Sequence, residues 1–133
     1  MNRFVLSATM LLGVFVLTQG NVLPDSNCSG AATTREMQLC IQSELKKAAR
    51  DLAETQTLIK GAIEDDAVKA LGQADEAWLA YCEANCTAYS ALYSGGTGEG
   101  VARLNCKVRM TVDRNKELRI MYQEVLPQLN PDR

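Results

Sequence analysis

The sequence predicts an all-α protein, a small three-helix up-down-up bundle stapled by disulfides. Three observations carry that expectation. Apolar residues recur at three- and four-residue steps along three long stretches. β-branched runs with period-two alternation, the signature of a sheet, are missing. Five cysteines, Cys28, Cys40, Cys82, Cys86 and Cys106, all follow an apolar N-terminus that reads as an export signal. An exported chain of this size oxidises such cysteines into a framework that supports a small core.

The elements follow in chain order. Met1-Asn2-Arg3 is a short basic start, and Phe4 to Leu17 runs without a charge. Thr18 and Gly20 then place small residues three before and one before a cut after Gly20. The uncharged run falls short of the about 20 apolar residues that a membrane span needs. Residues 1–20 are therefore expected to be a cleaved signal peptide. Cys28 follows Pro24-Asp25-Ser26-Asn27, which is not a lipidation site. The mature chain, residues 21–133, is expected to be one domain, periplasmic or secreted, with no membrane segment.

Asn21 to Ala32 reads as a loop, and Thr33-Thr34-Arg35-Glu36 as a capping box that opens the first helix. Met37, Ile41, Leu45, Ala48, Leu52, Thr55 and Ile59 form its apolar face. Gly61 ends it, and Glu64-Asp65-Asp66 suits the positive N-terminal end of the next helix. Val68, Leu71, Ala74, Trp78, Tyr81, Asn85 and Tyr89 stripe that second helix, with the aromatic residues expected in the core. Ser94 to Gly100 holds four glycines in seven residues and is expected to be a non-helical connection. Val101, Leu104, Val108, Val112, Leu118, Met121 and Val125 then stripe a third helix, closed by Pro127. Two short connections between three helices give the up-down-up order.

No catalytic constellation emerges. The chain has no histidine, which removes the usual Ser/His/Asp and Cys/His arrangements and disfavours zinc. Cys82-Glu83-Ala84-Asn85-Cys86 spaces its cysteines by three residues, not the two of redox or zinc motifs. The glycine stretch lacks the preceding strand and the Gly-Lys-Ser/Thr of a phosphate loop. Glu64-Asp65-Asp66 reads as a solvated helix start, and Lys46, Lys47 and Arg50 as the polar face of the first helix. No enzyme, cofactor or metal is expected. Loss of Arg3 with the signal takes the net charge from −2 to −3, and no cluster of Lys and Arg offers itself to nucleic acid.

Several stretches, taken together, resemble one family. Cys28-Ser29-Gly30-Ala31, Thr33 or Thr34, and Glu36-Met37-Gln38-Leu39-Cys40 look like its opening block. Gln73-Ala74-Asp75-Glu76-Ala77-Trp78-Leu79-Ala80-Tyr81, running on to Cys86, is similar to its central block. Tyr93-Ser94-Gly95-Gly96-Thr97-Gly98, Cys106 and Thr111 to Arg114 to Leu118 look like its closing block. The family is the LprI-type domain of bacterial secreted proteins, whose named member inhibits lysozyme, and the resemblance covers residues 28–118.

The resemblance implies a periplasmic or secreted inhibitor that binds lysozyme and blocks its glycan cleft. The alternative is a non-enzymatic envelope adaptor or structural domain with another partner. For the inhibitor, the partner-binding candidates are Tyr93, Ser94, Thr97 and Glu99 in the glycine loop, with Arg103 just beyond. The family's central block reads Tyr-Arg-Asp where this chain has Tyr81-Cys82-Glu83, so Cys82 is expected to be the unpaired cysteine. A free thiol there raises dimerisation or redox sensing as a third role. Two bridges among five cysteines leave many arrangements open. An antiparallel hairpin about the glycine loop favours Cys86–Cys106, with Cys28–Cys40 tying the N-terminal loop to the first helix; Cys28–Cys106 with Cys40–Cys86 is the main alternative.

Overall fold

The computed structural model describes residues 28–126; residues 1–27, with the expected signal peptide, and 127–133, with Pro127, lie outside the described residues. Three helices make up the fold: α1 (Thr34–Lys60), α2 (Asp65–Ser90) and α3 (Gly98–Met121), with a short 3-10 helix, Ala91–Tyr93, after α2. Among the described residues there is no strand.

The start of α1 is fixed by its cap. Thr33 Oγ1 accepts from the Glu36 N–H at 3.2 Å, and Glu36 Oε2 accepts from the Thr33 and Ala32 N–H groups at 3.1 and 3.0 Å. Two donors that a helix start would leave without partners, at Thr33 and Glu36, are thus satisfied, together with the Ala32 N–H before them. Ile41, Ala48, Leu52, Thr55 and Ile59 are buried along one face of α1, with Met37 and Leu45 half-buried. Full burial of Ile41, Ile59 and Leu118 contributes about 1.5–3 kcal/mol for each side chain.

The arrangement is up-down-up, with α3 as the shared partner. It packs along both α1 and α2, whereas the backbones of α1 and α2 barely approach each other. The first turn of α3 lies so close to α1 that a Cβ at Gly100 would stand 2.5 Å from Gln38 Nε2. One hydrophobic cluster joins Leu52 and Ile59 of α1, Leu71 of α2, Leu118 of α3 and Leu126 beyond it. A second joins Cys82, Cys86 and Cys106, and half-buried Trp78 packs against both clusters.

Several sequence expectations are corrected. The buried line of α2 after Leu71 runs through Cys82, Cys86 and Ser90, not through Tyr81, Asn85 and Tyr89. Covalent attachment of Cys86 to α3 turns that line inward and rotates Tyr81 and Tyr89 outward, to 60% and 39% exposure. The aromatics of α2 are therefore not core, apart from the half-buried Trp78. The helix α3 begins at Gly98, so the last three residues of the glycine stretch form its first turn, where backbone N–H groups need no intrahelical acceptor. Finally, α3 ends at Met121, so Val125 lies beyond it, and Val112, Met121 and Val125 of the expected apolar stripe are exposed. A turn follows in which the Leu126 N–H donates to the Tyr122 carbonyl at 2.9 Å, folding Leu126 back into the core.

Candidate partner-binding site

The end of the α2–α3 hairpin carries the partner-binding candidates. Tight turns build it: the Ser94 N–H donates to the Ala91 carbonyl and the Gly96 N–H to the Tyr93 carbonyl, both at 3.2 Å. Gly95 sits between them at φ +81°, in the left-handed region that glycine adopts without a Cβ clash. Behind the turn, Cys86 is joined to Cys106 by a disulfide with Cα atoms 5.5 Å apart. That bridge closes a 20-residue separation and contributes about 3 kcal/mol by the chain-entropy estimate. At the start of the domain Cys28 is joined to Cys40, Cα to Cα 5.7 Å, while Cys82 carries a free thiol.

The candidates separate into two groups. Tyr93, Ser94 and Thr97 are exposed on the turn. The Tyr93 ring meets that of Tyr89 edge to face, with centroids 5.8 Å apart and the two hydroxyls at 3.5 Å. That hydroxyl contact, followed by charge repulsion from Tyr89, pushes the Tyr93 phenol above its ordinary value. Arg103 and Glu99 instead face each other. Arg103 Nη2 lies 3.4 Å from Glu99 Oε1, and Arg103 Nε donates to Ser90 Oγ at 3.2 Å. Ser90 is fully buried and donates to the Thr87 carbonyl at 3.0 Å. Arg103 thus acts as a latch between α3 and the end of α2, half-buried and occupied.

Two exposed side chains that the sequence did not assign to this site complete the patch. Leu92, 77% exposed, projects from the 3-10 helix beside Tyr93, and Tyr89 supports the Tyr93 ring. Leu92 continues the three- and four-residue step of the α2 stripe after Tyr89, so its spacing gave no signal that it would be exposed. The patch therefore presents an aliphatic and an aromatic surface, hydroxyls and backbone amides, with its one local ion pair internally satisfied. Such a surface can fill a groove by shape and apolar contact. It holds no group arranged for proton transfer or nucleophilic attack.

Farther from the loop, opposite charges bind the helices. Asp75 of α2 lies 3.4 Å from Arg114 Nη2 and 3.9 Å from Lys60 Nζ of α1, and Arg114 Nη1 meets Glu117 at 2.9 Å. Lys107 of α3 pairs with Glu83 of α2, and this hydrogen bond, then the lysine charge, holds the Glu83 carboxyl below its ordinary value. Among the described residues no group of three or more potential ligands is placed to hold a metal ion, and no helix is long and apolar enough to cross a membrane.

Three packed helices and two disulfides define a small disulfide-stapled helical domain. The sequence profile described as Lysozyme inhibitor LprI matches residues 25–118. The chain belongs to this LprI family. No curated protein and no solved structure matches it.

Proposed function

We propose that this chain is an exported protein inhibitor of lysozyme, acting in the periplasm or outside the cell, which binds the enzyme and blocks its glycan cleft without catalysing a reaction. Membership of the LprI family carries this reading. The surface chemistry of the hairpin end supports it. Lysozyme cuts its substrate between two carboxyl groups in a groove, and a braced protrusion is the shape that occludes a groove. Tyr93 is the proposed anchor, with Leu92, Ser94 and Thr97 around it and Arg103 and Glu99 holding the loop in place. Cleavage of residues 1–20 on export completes the reading.

A free-thiol role is disfavoured by position: Cys82 is only 6% exposed, and burial pushes its thiol up. A dimerising or redox-sensing cysteine is accessible and has a lowered value.

The test is titration of the mature protein into lysozyme acting on bacterial cell walls, with Tyr93→Ala as the site variant and Lys47→Ala, on the exposed side of α1, as control. Anchors of this kind are worth about 2 kcal/mol or more. Tyr93→Ala is expected to weaken inhibition at least about tenfold, a loss of about 1.4 kcal/mol, while the control inhibits like the parent. Equal inhibition by both variants moves the site elsewhere on the domain. No inhibition of several lysozymes by the parent at micromolar concentration gives the domain to the envelope-adaptor reading.

A further inference from the structure

The outer face of α2 carries a pattern that the fold does not use. Ala67, Ala74, Tyr81 and Ala88 recur every seven residues, and Ala70, Ala77, Ala84 and Ala91 stand three places after each. These are the two apolar positions of a heptad, kept without a break along the helix, and all eight residues are exposed. Within the domain this face has no partner. The helix α3 packs on the other side, through Cys86 and Ser90, and α1 barely approaches α2. A repeat of 3.5 residues is what a second helix requires, since it keeps one seam facing that helix over its whole length.

We propose that this seam pairs two copies of the chain, α2 against α2 in antiparallel order about a two-fold axis. In that register Ala77 faces Tyr81 of the second copy, and Ala74, Ala70 and Ala67 face its Ala84, Ala88 and Ala91. The one large residue of the seam thus meets a small one at both crossings, and the alanine layers let the helices approach to about 8 Å. Charge selects the order. In parallel order the two Glu64-Asp65-Asp66 starts would lie side by side, like charge against like. Antiparallel order parts them by about 39 Å, the length of a helix of 26 residues. It also brings each acidic start level with Arg103 of the other copy, which bonds Ser90 at the C-terminal end of α2 and is 38% exposed.

The area that a stable pair needs says what else must touch. About 800 Å² from each copy, spread over about 39 Å, asks for a band roughly 20 Å wide, and α2 alone is about 10–12 Å across. The rest comes from the groove beside the seam, about 310 Å³, between Ala67, Ala70 and Ala74 of α2 and Met121 and Tyr122 at the end of α3. Tyr93 lies beyond the seam, so pairing leaves the proposed lysozyme contact uncovered.

The test is sedimentation of the oxidised mature protein from about 10 μM to 1 mM, together with the emission of Trp78, the chain's only tryptophan, which flanks the seam beside the two-fold axis. The expected result is a monomer–dimer equilibrium within that range, with Trp78 emission shifting to the red on dilution. Ala77→Glu puts a charge in the middle of the seam and is expected to weaken pairing at least about tenfold. Leu79→Glu, at an exposed site on another face of α2, is expected to pair like the parent. Circular dichroism of both variants is expected to match the parent, since glutamate is a good helix former. A parent that stays monomeric to about 1 mM overturns the proposal and leaves the seam to a helix of another protein. A dimer unchanged by Ala77→Glu, weakened equally by Leu79→Glu, or dissociating with no change at Trp78 lies on another face and overturns it as well.

Discussion

Replacing Arg114 with Met tests whether ion pairs hold the three helices together. The Arg114 and Asp75 side chains are 11% and 13% exposed, so their interaction is largely shielded from water. Removal of the guanidinium leaves Asp75 facing only Lys60, 3.9 Å away and beyond hydrogen-bond reach. Breaking a buried pair from one side costs about 3–5 kcal/mol because a charge is stranded. Lys60 and the residual exposure place Arg114→Met at the lower end, about 3 kcal/mol. Asp75→Asn is milder, about 1 kcal/mol, since the amide oxygen still accepts from Arg114 and Glu117 still neutralises it. The double variant strands no charge and is expected to cost less than the two single losses added together. Urea unfolding of the oxidised protein followed by circular dichroism reads all three. For a domain of about 100 residues, 3 kcal/mol corresponds to roughly 12–24 °C of thermal midpoint. Arg114→Met within about 0.5 kcal/mol of the parent, or strict additivity in the double variant, would refute the reasoning.

Three further outcomes are expected. Thr33→Ala removes the acceptor for the Glu36 N–H and should cost about 1 kcal/mol in the same unfolding experiment, with Glu36 still holding the Ala32 and Thr33 donors. The Glu83 carboxyl is held below its ordinary value of 4.5, so its pairing with Lys107 stabilises the fold above that pH and is lost as pH falls through the lowered value; Glu83→Gln should flatten that part of the stability–pH curve. Arg103→Ala breaks the latch to Ser90 and should lower stability by about 1 kcal/mol, while inhibition at a temperature well below unfolding stays within about threefold of the parent. A loss of inhibition by Arg103→Ala as large as that of Tyr93→Ala would instead make the arginine an anchor.

The helices were legible in the sequence because their signals are local. Thr33 and Glu36 mark a cap, glycines mark the turns, and Ile41 to Ile59 repeats at helical period. The stripe of α2 misled because periodicity alone does not choose between two adjacent lines of apolar residues. Tyr81–Asn85–Tyr89 and Cys82–Cys86–Ser90 are offset by one residue, and only the partner helix decides which line faces inward. The ion pairs follow the same logic. Glu83 with Lys107 and Asp75 with Arg114 straddle the glycine loop almost symmetrically, a pattern visible only once the hairpin itself is assumed. For the loop, the sequence pointed to Tyr93 and Arg103 alike, because residue type does not show that Ser90 and Glu99 already occupy the arginine.

That occupation bears directly on how the loop would bind. A glycine-rich turn left free would lose much conformational entropy on entering a groove, and that loss subtracts from affinity. Here the turn is restrained from three directions: by the Cys86–Cys106 staple behind it, by the latch from Arg103 to the buried Ser90, and by the Tyr89 ring beneath Tyr93. The staple is buried, Arg103 is half-covered and the partly exposed Tyr89 ring lies against Tyr93, and all three leave Leu92 and Tyr93 outward. The charged and sulfur chemistry of the hairpin therefore serves shape, which leaves the neutral aromatic tip as the proposed contact. With the staple and the Tyr89 ring still in place, loosening the latch by Arg103→Ala should therefore cost stability and only a small part of the potency, within about threefold, whereas Tyr93→Ala should cost potency with stability retained.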